Sequence, residues 1–167
     1  ALPDLATFVA ARFPRVTAIT LSFIAPTGFC QVSRKTIPRI ADVQPYLFQA
    51  LDVLRDSDIT PILPDRCGIP LCTVPGYEAH HEALMASPFA GTGLVTDDHT
   101  KHAGCTTCVW NNRCIGYWKK AVDLWGTEDL IPVTEPVDVS AQPMPYAALE
   151  RGQIEAFLRD ESERLIQ

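Results

Sequence analysis

No stretch of the 167-residue chain stays apolar for the roughly 18–20 residues that cross a bilayer. The longest apolar stretches, such as "ITLSFIAP" from Ile19 to Pro26, are strand-length, so no membrane partner is expected. The chain also lacks an excess of positive charge. Its 14 Lys and Arg face 20 Asp and Glu, for a net charge of −6, which leaves no overall electrostatic footprint for nucleic acid. A basic n-region followed by an apolar h-region is missing too, so no secretory signal is read and a cytoplasmic location is expected. There is no starting methionine. Ala1 begins inside a helical pattern, and the chain reads as processed or excised from a longer polypeptide. No internal repeat is visible.

What the chain does have is apolar content and sulfur. Apolar residues make up 47%, enough for a sizeable core in about one domain. Six cysteines would suit a small disulfide scaffold, but a chain of this length does not need such staples. Metal or cluster ligation is the favoured use.

Residues 1–64 read as α-β-α-β, the grammar of a repeating α/β fold. Asp4 is a candidate N-cap, with Leu5, Phe8 and Val9 at helical spacing, and Pro14 ends the segment. Ile19, Leu21 and Phe23 then share one face of a strand, and Thr20, Ser22 and Ile24 the other. That pattern predicts a strand of the buried, parallel type. "PTG" (Pro26 to Gly28) breaks it. Asp42 is expected to cap a second helix with the stripe Val43, Leu47, Leu51, Leu54 and with Pro45 in its first turn. Ile59 to Pro64 is a second short strand. A closed (β/α)8 barrel needs about 250 residues, so only a part of one is conceivable.

From Asp65 to Val133 periodicity fades, and Gly, Pro, His and Cys accumulate. Only "YWKKAVDLWG" (Tyr117 to Gly126) looks helical. A region of this length with so little regular structure needs something else to organise it, and a ligated metal centre would serve. "YEAHHEALM" reads as a short exposed helix carrying His80 and His81. Residues 134–167 combine a Pro-rich linker (Pro136, Pro143, Pro145) with an amphipathic helix presenting Ile154, Phe157 and Leu158.

"GCTTCVWNNRCIGYW" (residues 104–118) carries a C-x2-C-x5-C pattern at Cys105, Cys108 and Cys114. Two thiolates three residues apart can converge on one metal through a tight turn, a feature shared by zinc and iron–sulfur sites. The fourth ligand must come from elsewhere: Cys72 is the first choice, with Cys67 and Cys30 as alternatives. Cys67 reads more readily as a core thiol. His99 and His102, in step with Cys105 and Cys108, make a mixed His/Cys zinc site conceivable, although a solvated loop is the plainer reading and zinc would leave Cys114 unused. Trp110, Tyr117 and Trp118 are expected to shield the centre or pack. Arg113 and Lys119 are candidates to offset thiolate charge.

"GIPLC" (Gly68 to Cys72), the long gap, the C-x2-C-x5-C-x-G of Cys105 to Gly116, and "WGTEDLIPV" (Trp125 to Val133) together resemble the auxiliary-cluster region of radical S-adenosylmethionine (radical SAM) enzymes, the SPASM and twitch extensions. Upstream, the strand ending in "APTG" (Ala25 to Gly28) and the helix after it are similar to the last β/α unit of that family's partial TIM-type barrel. The resemblance covers residues 3–133. It implies an α/β fold class with an irregular, cluster-organised region and a C-terminal helix. In segments, 1–64 would be barrel, 65–133 the cluster-binding region, and 134–167 linker and helix. It further implies that Cys72, Cys105, Cys108 and Cys114 ligate one auxiliary [4Fe–4S] cluster for electron transfer or substrate positioning. Pro26 and Gly28 would approach the adenine of S-adenosylmethionine in the complete parent enzyme. The partner would be the rest of the barrel, upstream or on a separate chain, and a peptide is the substrate class. Two departures stand out. Trp118 occupies the position of a further SPASM cysteine, which favours a single-cluster, twitch-like form. The family's C-x3-C-x2-C and its glycine-rich cofactor motif are absent, so this chain by itself cannot cleave S-adenosylmethionine as the family does. The rival expectation is a zinc-stabilised module that binds a protein partner and catalyses nothing.

Overall fold

A parallel strand pair and the helix that joins its strands organise the first third of the chain. The computed structural model describes residues 1–28, 30, 35–84 and 97–139. The expected C-terminal helix with Ile154, Phe157 and Leu158, and the prolines at 143 and 145, lie outside the described residues. β1 (Ala18–Thr20) pairs in parallel with β2 (Thr60–Ile62), Ile19 opposite Pro61. Between them runs α2 (Ile40–Asp56), and α1 (Leu2–Arg12) precedes them. Parallel neighbours need such a crossover, because no tight turn can join them.

The apolar stripe predicted for α2 is the face that packs. Leu47, Leu51 and Leu54 are buried together with Ala50. The caps differ from expectation. α1 starts at Leu2 and α2 at Ile40, so Asp4 and Asp42 lie inside the first turns. There their carboxylates face the positive end of each helix, and that of Asp4 also accepts from the amino group of the N-cap residue Ala1. Pro45 sits in the second turn of α2, where it forfeits a bond to the carbonyl of Ala41. Ala41 is exposed, so water can take that carbonyl.

β1 is shorter and more exposed than its sequence suggests, and Thr20 faces solvent. Burial on both faces belongs to β2, where Pro61, Ile62 and the following Leu63 are all buried. Past β1 the chain stays extended, with Leu21 N–H donating to Ile62 O and Phe23 N–H to Cys67 O. Among the described residues there is no closed barrel, only this pair and a second two-stranded sheet. No described helix is long and apolar enough to cross a membrane.

That second sheet is antiparallel. It pairs β3 (His99–Thr100) with β4 (Tyr117–Trp118), and α3 (Lys119–Trp125) follows at once. The helix expected from Tyr117 therefore begins two residues late, because Tyr117 and Trp118 are used as a strand. Gly126, with φ +76°, ends it as expected. One of two core clusters ties the α/β portion to the second sheet, while Ile19 of β1 packs on the other with Ala6, Ala50, Leu54 and Ile59. The first includes Ile37, Ile40, Leu51 and Leu63 from the α/β portion and Val74, Tyr117, Trp118 and Leu130 from the cysteine-bearing portion. Packing thus crosses the compositional boundary at residue 64. Arg39 adds a two-pronged ion pair to Asp129, both bonds 2.8 Å, and Trp125 Nε1 donates to Ile37 O.

Candidate metal centre

The two-residue ladder of β3 and β4 closes a loop, residues 101–116, that carries three of the cysteines. Inside it the chain folds by short-range hydrogen bonds. A 3-10 turn spans Ala103–Thr107 and ends at Cys108, whose N–H donates to Cys105 O. Asn111 N–H donates to Cys108 O, and Cys114 N–H to Trp110 O. These turns bring Cys114 back towards the C-x2-C pair. From a distant part of the chain comes a 3-10 turn at Leu71–Thr73, which holds Cys72. It is fixed by Thr73 Oγ1 donating to Pro70 O and by Gln44 of α2 donating to Thr73 O.

Cys72, Cys105, Cys108 and Cys114 line one cavity. Apolar Leu71, Tyr117, Leu130 and Pro132 complete much of its wall, with Trp110 and Lys101. Cys67 is exposed and Cys30 half-buried, and neither lines it. The expectation of a core thiol at Cys67 is thus corrected: its loop faces solvent. All six cysteines are free thiols.

By themselves the buried thiols hold their protons. Burial first, and then the charges of Cys114, Cys108 and Cys105, push the Cys72 thiol up to about 12. Burial also pushes Cys114 up, opposed by the amides of Gly116 and Leu71. Gly116 N–H lies 3.3 Å from Cys114 Sγ as a donor. An amide aimed at sulfur is of most use to a thiolate, and a bound metal supplies the charge that lets buried thiolates form.

The donors ring a space instead of meeting at a point. Among the described residues, no three His, Cys, Asp or Glu side chains converge closely enough to hold one ion. The centre of a water molecule can occupy about 30 Å³ of the cavity, room for roughly two waters. A structural zinc wants four donors within about 2.3 Å of one point. A cube of iron and sulfide takes its thiolates on separate corners.

No family model, curated protein or solved structure matches the chain. The residues themselves therefore carry the reading.

Several placements differ from the sequence reading. Arg113 and Lys119 are exposed and outside the lining, whereas Lys101 lines the cavity and donates to Asn111 O at 2.5 Å. His102 lines it as well, with Nδ1 accepting from Gly104 N–H. His99 is buried, not solvated, and stacks on Trp118 at 4.2 Å between ring centroids. His81 is fully buried, against the expected exposed helix; Nε2 meets Ile69 O at 2.8 Å and Nδ1 accepts from Ala83 N–H. Nothing in "YEAHHEALM" signals this, because the carbonyl it needs lies twelve residues upstream. Pro26 is buried and Gly28 exposed at φ +56°; neither lines the thiol cavity.

Gly116 offers a direct test of the loop. Its φ is +91°, and a Cβ there would lie 2.2 Å from Thr100 O. Gly116→Ala is expected to cost about 2 kcal/mol in urea unfolding and to weaken metal retention, since the same amide serves Cys114.

Proposed function

We propose that this chain is the auxiliary-cluster-binding part of a radical SAM enzyme. The carrying observation is that Cys72 and the C-x2-C-x5-C cysteines, over thirty residues apart, line one cavity. When bound, a [4Fe–4S] cluster there would supply one-electron transfer or an iron able to hold a substrate atom. Cys72, Cys105, Cys108 and Cys114 would hold it. Leu71, Tyr117 and Pro132 exclude water, Lys101 offsets thiolate charge, and Gly116 N–H orients Cys114 Sγ. Low solvent access and such hydrogen bonds are the protein's levers on a cluster's potential.

The partner in this reading is the rest of the barrel, which also carries the catalytic cluster and S-adenosylmethionine, with Pro26 and Gly28 near the adenine; a peptide is the substrate class. The exposed side of β1 supports an unfinished barrel. Among the described residues only β2 pairs with it. Beside it lies an apolar cavity of about 280 Å³ bounded by Leu5, Ile19, Leu21, Phe23 and Val43. Leu5, Phe8 and Phe13 are each about half exposed.

One observation keeps the zinc module as a second reading: His102 stands at the cavity beside the thiols. Anaerobic reconstitution separates the two. Brown protein with iron and sulfide in equal amounts is the expected result. Colourless protein carrying one zinc, and refusing iron and sulfide, overturns the proposal.

A further inference from the structure

Two indoles in the chain bury an N–H that finds no acceptor among the described residues, those of Trp110 and Trp118. A buried donor without a partner carries the full penalty of lost hydration, so each asks what should accept from it. Their surroundings differ. Trp118 is packed in the core and stacked on His99, away from the thiols. Trp110 lines the thiol cavity. It stands between Cys108 and Cys114 in the chain, and its own carbonyl accepts from Arg113 and Cys114 N–H. The turn that aligns two ligands therefore also fixes Trp110. Tyr117, Leu71 and Leu130, its neighbours on the wall, add mostly apolar surface. The acceptors such a cavity would gain on loading are sulfur atoms.

We infer that Trp110 donates its indole N–H to a sulfur of the iron–sulfur group held in the cavity and thereby sets that group's reduction potential. The inference rests on the iron–sulfur reading and adds to it a role for one residue. The chemistry is one-sided. Reduction by one electron makes the sulfurs more negative, so a fixed N–H dipole favours the reduced form and raises the potential. Trp110 is a positioning and tuning residue in this account. Trp118, with the same orphaned donor outside the cavity, is the internal control.

The experiment compares wild type, Trp110→Phe and Trp118→Phe after anaerobic reconstitution, by dithionite titration followed by electron paramagnetic resonance. Equal iron and sulfide contents are expected in all three. Trp110→Phe should shift the oxidised-to-reduced ratio at a fixed potential by about tenfold, a midpoint about 59 mV more negative for a one-electron couple. Trp118→Phe should leave it in place. An unshifted Trp110→Phe midpoint, or an equal shift in Trp118→Phe, overturns the inference while the cluster itself stands. A wild type that takes zinc and no iron overturns both. Should Trp110→Phe fail to hold iron, wild type labelled with 15N in its indoles still decides: the reduced centre should couple magnetically to one indole nitrogen, and absence of that coupling overturns the inference.

Discussion

On the iron–sulfur reading, Cys72→Ala is expected to lower the iron bound after anaerobic reconstitution from roughly four atoms per chain to less than about one, while Cys67→Ala and Cys30→Ala keep the full complement. Cys105, Cys108 and Cys114 all belong to one loop closed by β3 and β4. Cys72 alone reaches the cavity from a separate element, the 3-10 turn Leu71–Thr73. Without it one corner of a cubic cluster loses its thiolate and meets solvent. Three ligands on a loop held by a two-residue ladder give no second anchor. The fold should survive, because Cys72 is only half-buried and alanine removes a single sulfur from the wall. Iron and sulfide analysis together with circular dichroism of the three variants checks this. Four irons retained by Cys72→Ala, or lost from Cys67→Ala, would end the assignment of Cys72 as the fourth ligand.

The sequence made the β1-α2-β2 unit readable because its signals are local. The Val43–Leu54 stripe has helical period, and the apolar run before "PTG" has strand length. Their ends were less readable, since a strand extends only as far as its partner does, and β2 supplies three residues. The cysteine loop was legible for a similar reason: three cysteines sit in ten consecutive positions. Cys72 was preferred over Cys67 and Cys30, and the resemblance favoured it too, yet nothing local in "DRCGIPLC" shows which thiol is turned inward. What separates them is tertiary. Cys72 follows Pro70 and Leu71 into the core, while Cys67 lies on the turn over Pro64, where Gly68 passes so close that a Cβ would overlap Pro64 O. Lys101 was missed and Arg113 and Lys119 were put forward because chain proximity to cysteines is a poor guide to which cation lines a cavity. His81 and His99 were read as exposed because burial of an imidazole is decided by distant partners, a carbonyl for one and a ring for the other.

The two sides of the cavity are thus held by different means. The loop side depends on short turns and on Gly116. The Cys72 side depends on α2 through Gln44 and on a polar contact in the core just upstream, between His81 and Ile69 O. Ligands placed by separate elements can be perturbed separately, and a stability measurement on one side then says how its ligand is positioned.

Replacing His81 should expose that second anchor through its pH dependence. His81→Leu leaves two buried backbone groups, Ile69 C=O and Ala83 N–H, without the imidazole, a loss of about 3 kcal/mol at pH 7. Burial pushes the His81 pKa down to about 4 from an ordinary 6.5, against the raising effect of the Ile69 carbonyl. Above 6.5 neither the folded nor the unfolded form binds the proton, so the contribution is at full strength. Below 6.5 only the unfolded chain binds it, and stability falls with pH until about 4. Between pH 7 and pH 5 the wild-type advantage over His81→Leu should therefore shrink by about 2 kcal/mol. The wild-type curve alone would hide this. Asp65, buried beside Glu82, is pushed up to about 6 and gains stability over much of the same range as it takes up a proton. Subtracting the two urea-unfolding curves removes the Asp65 contribution, which both proteins share. A difference that stays constant from pH 7 to pH 5 would mean that His81 is not buried neutral.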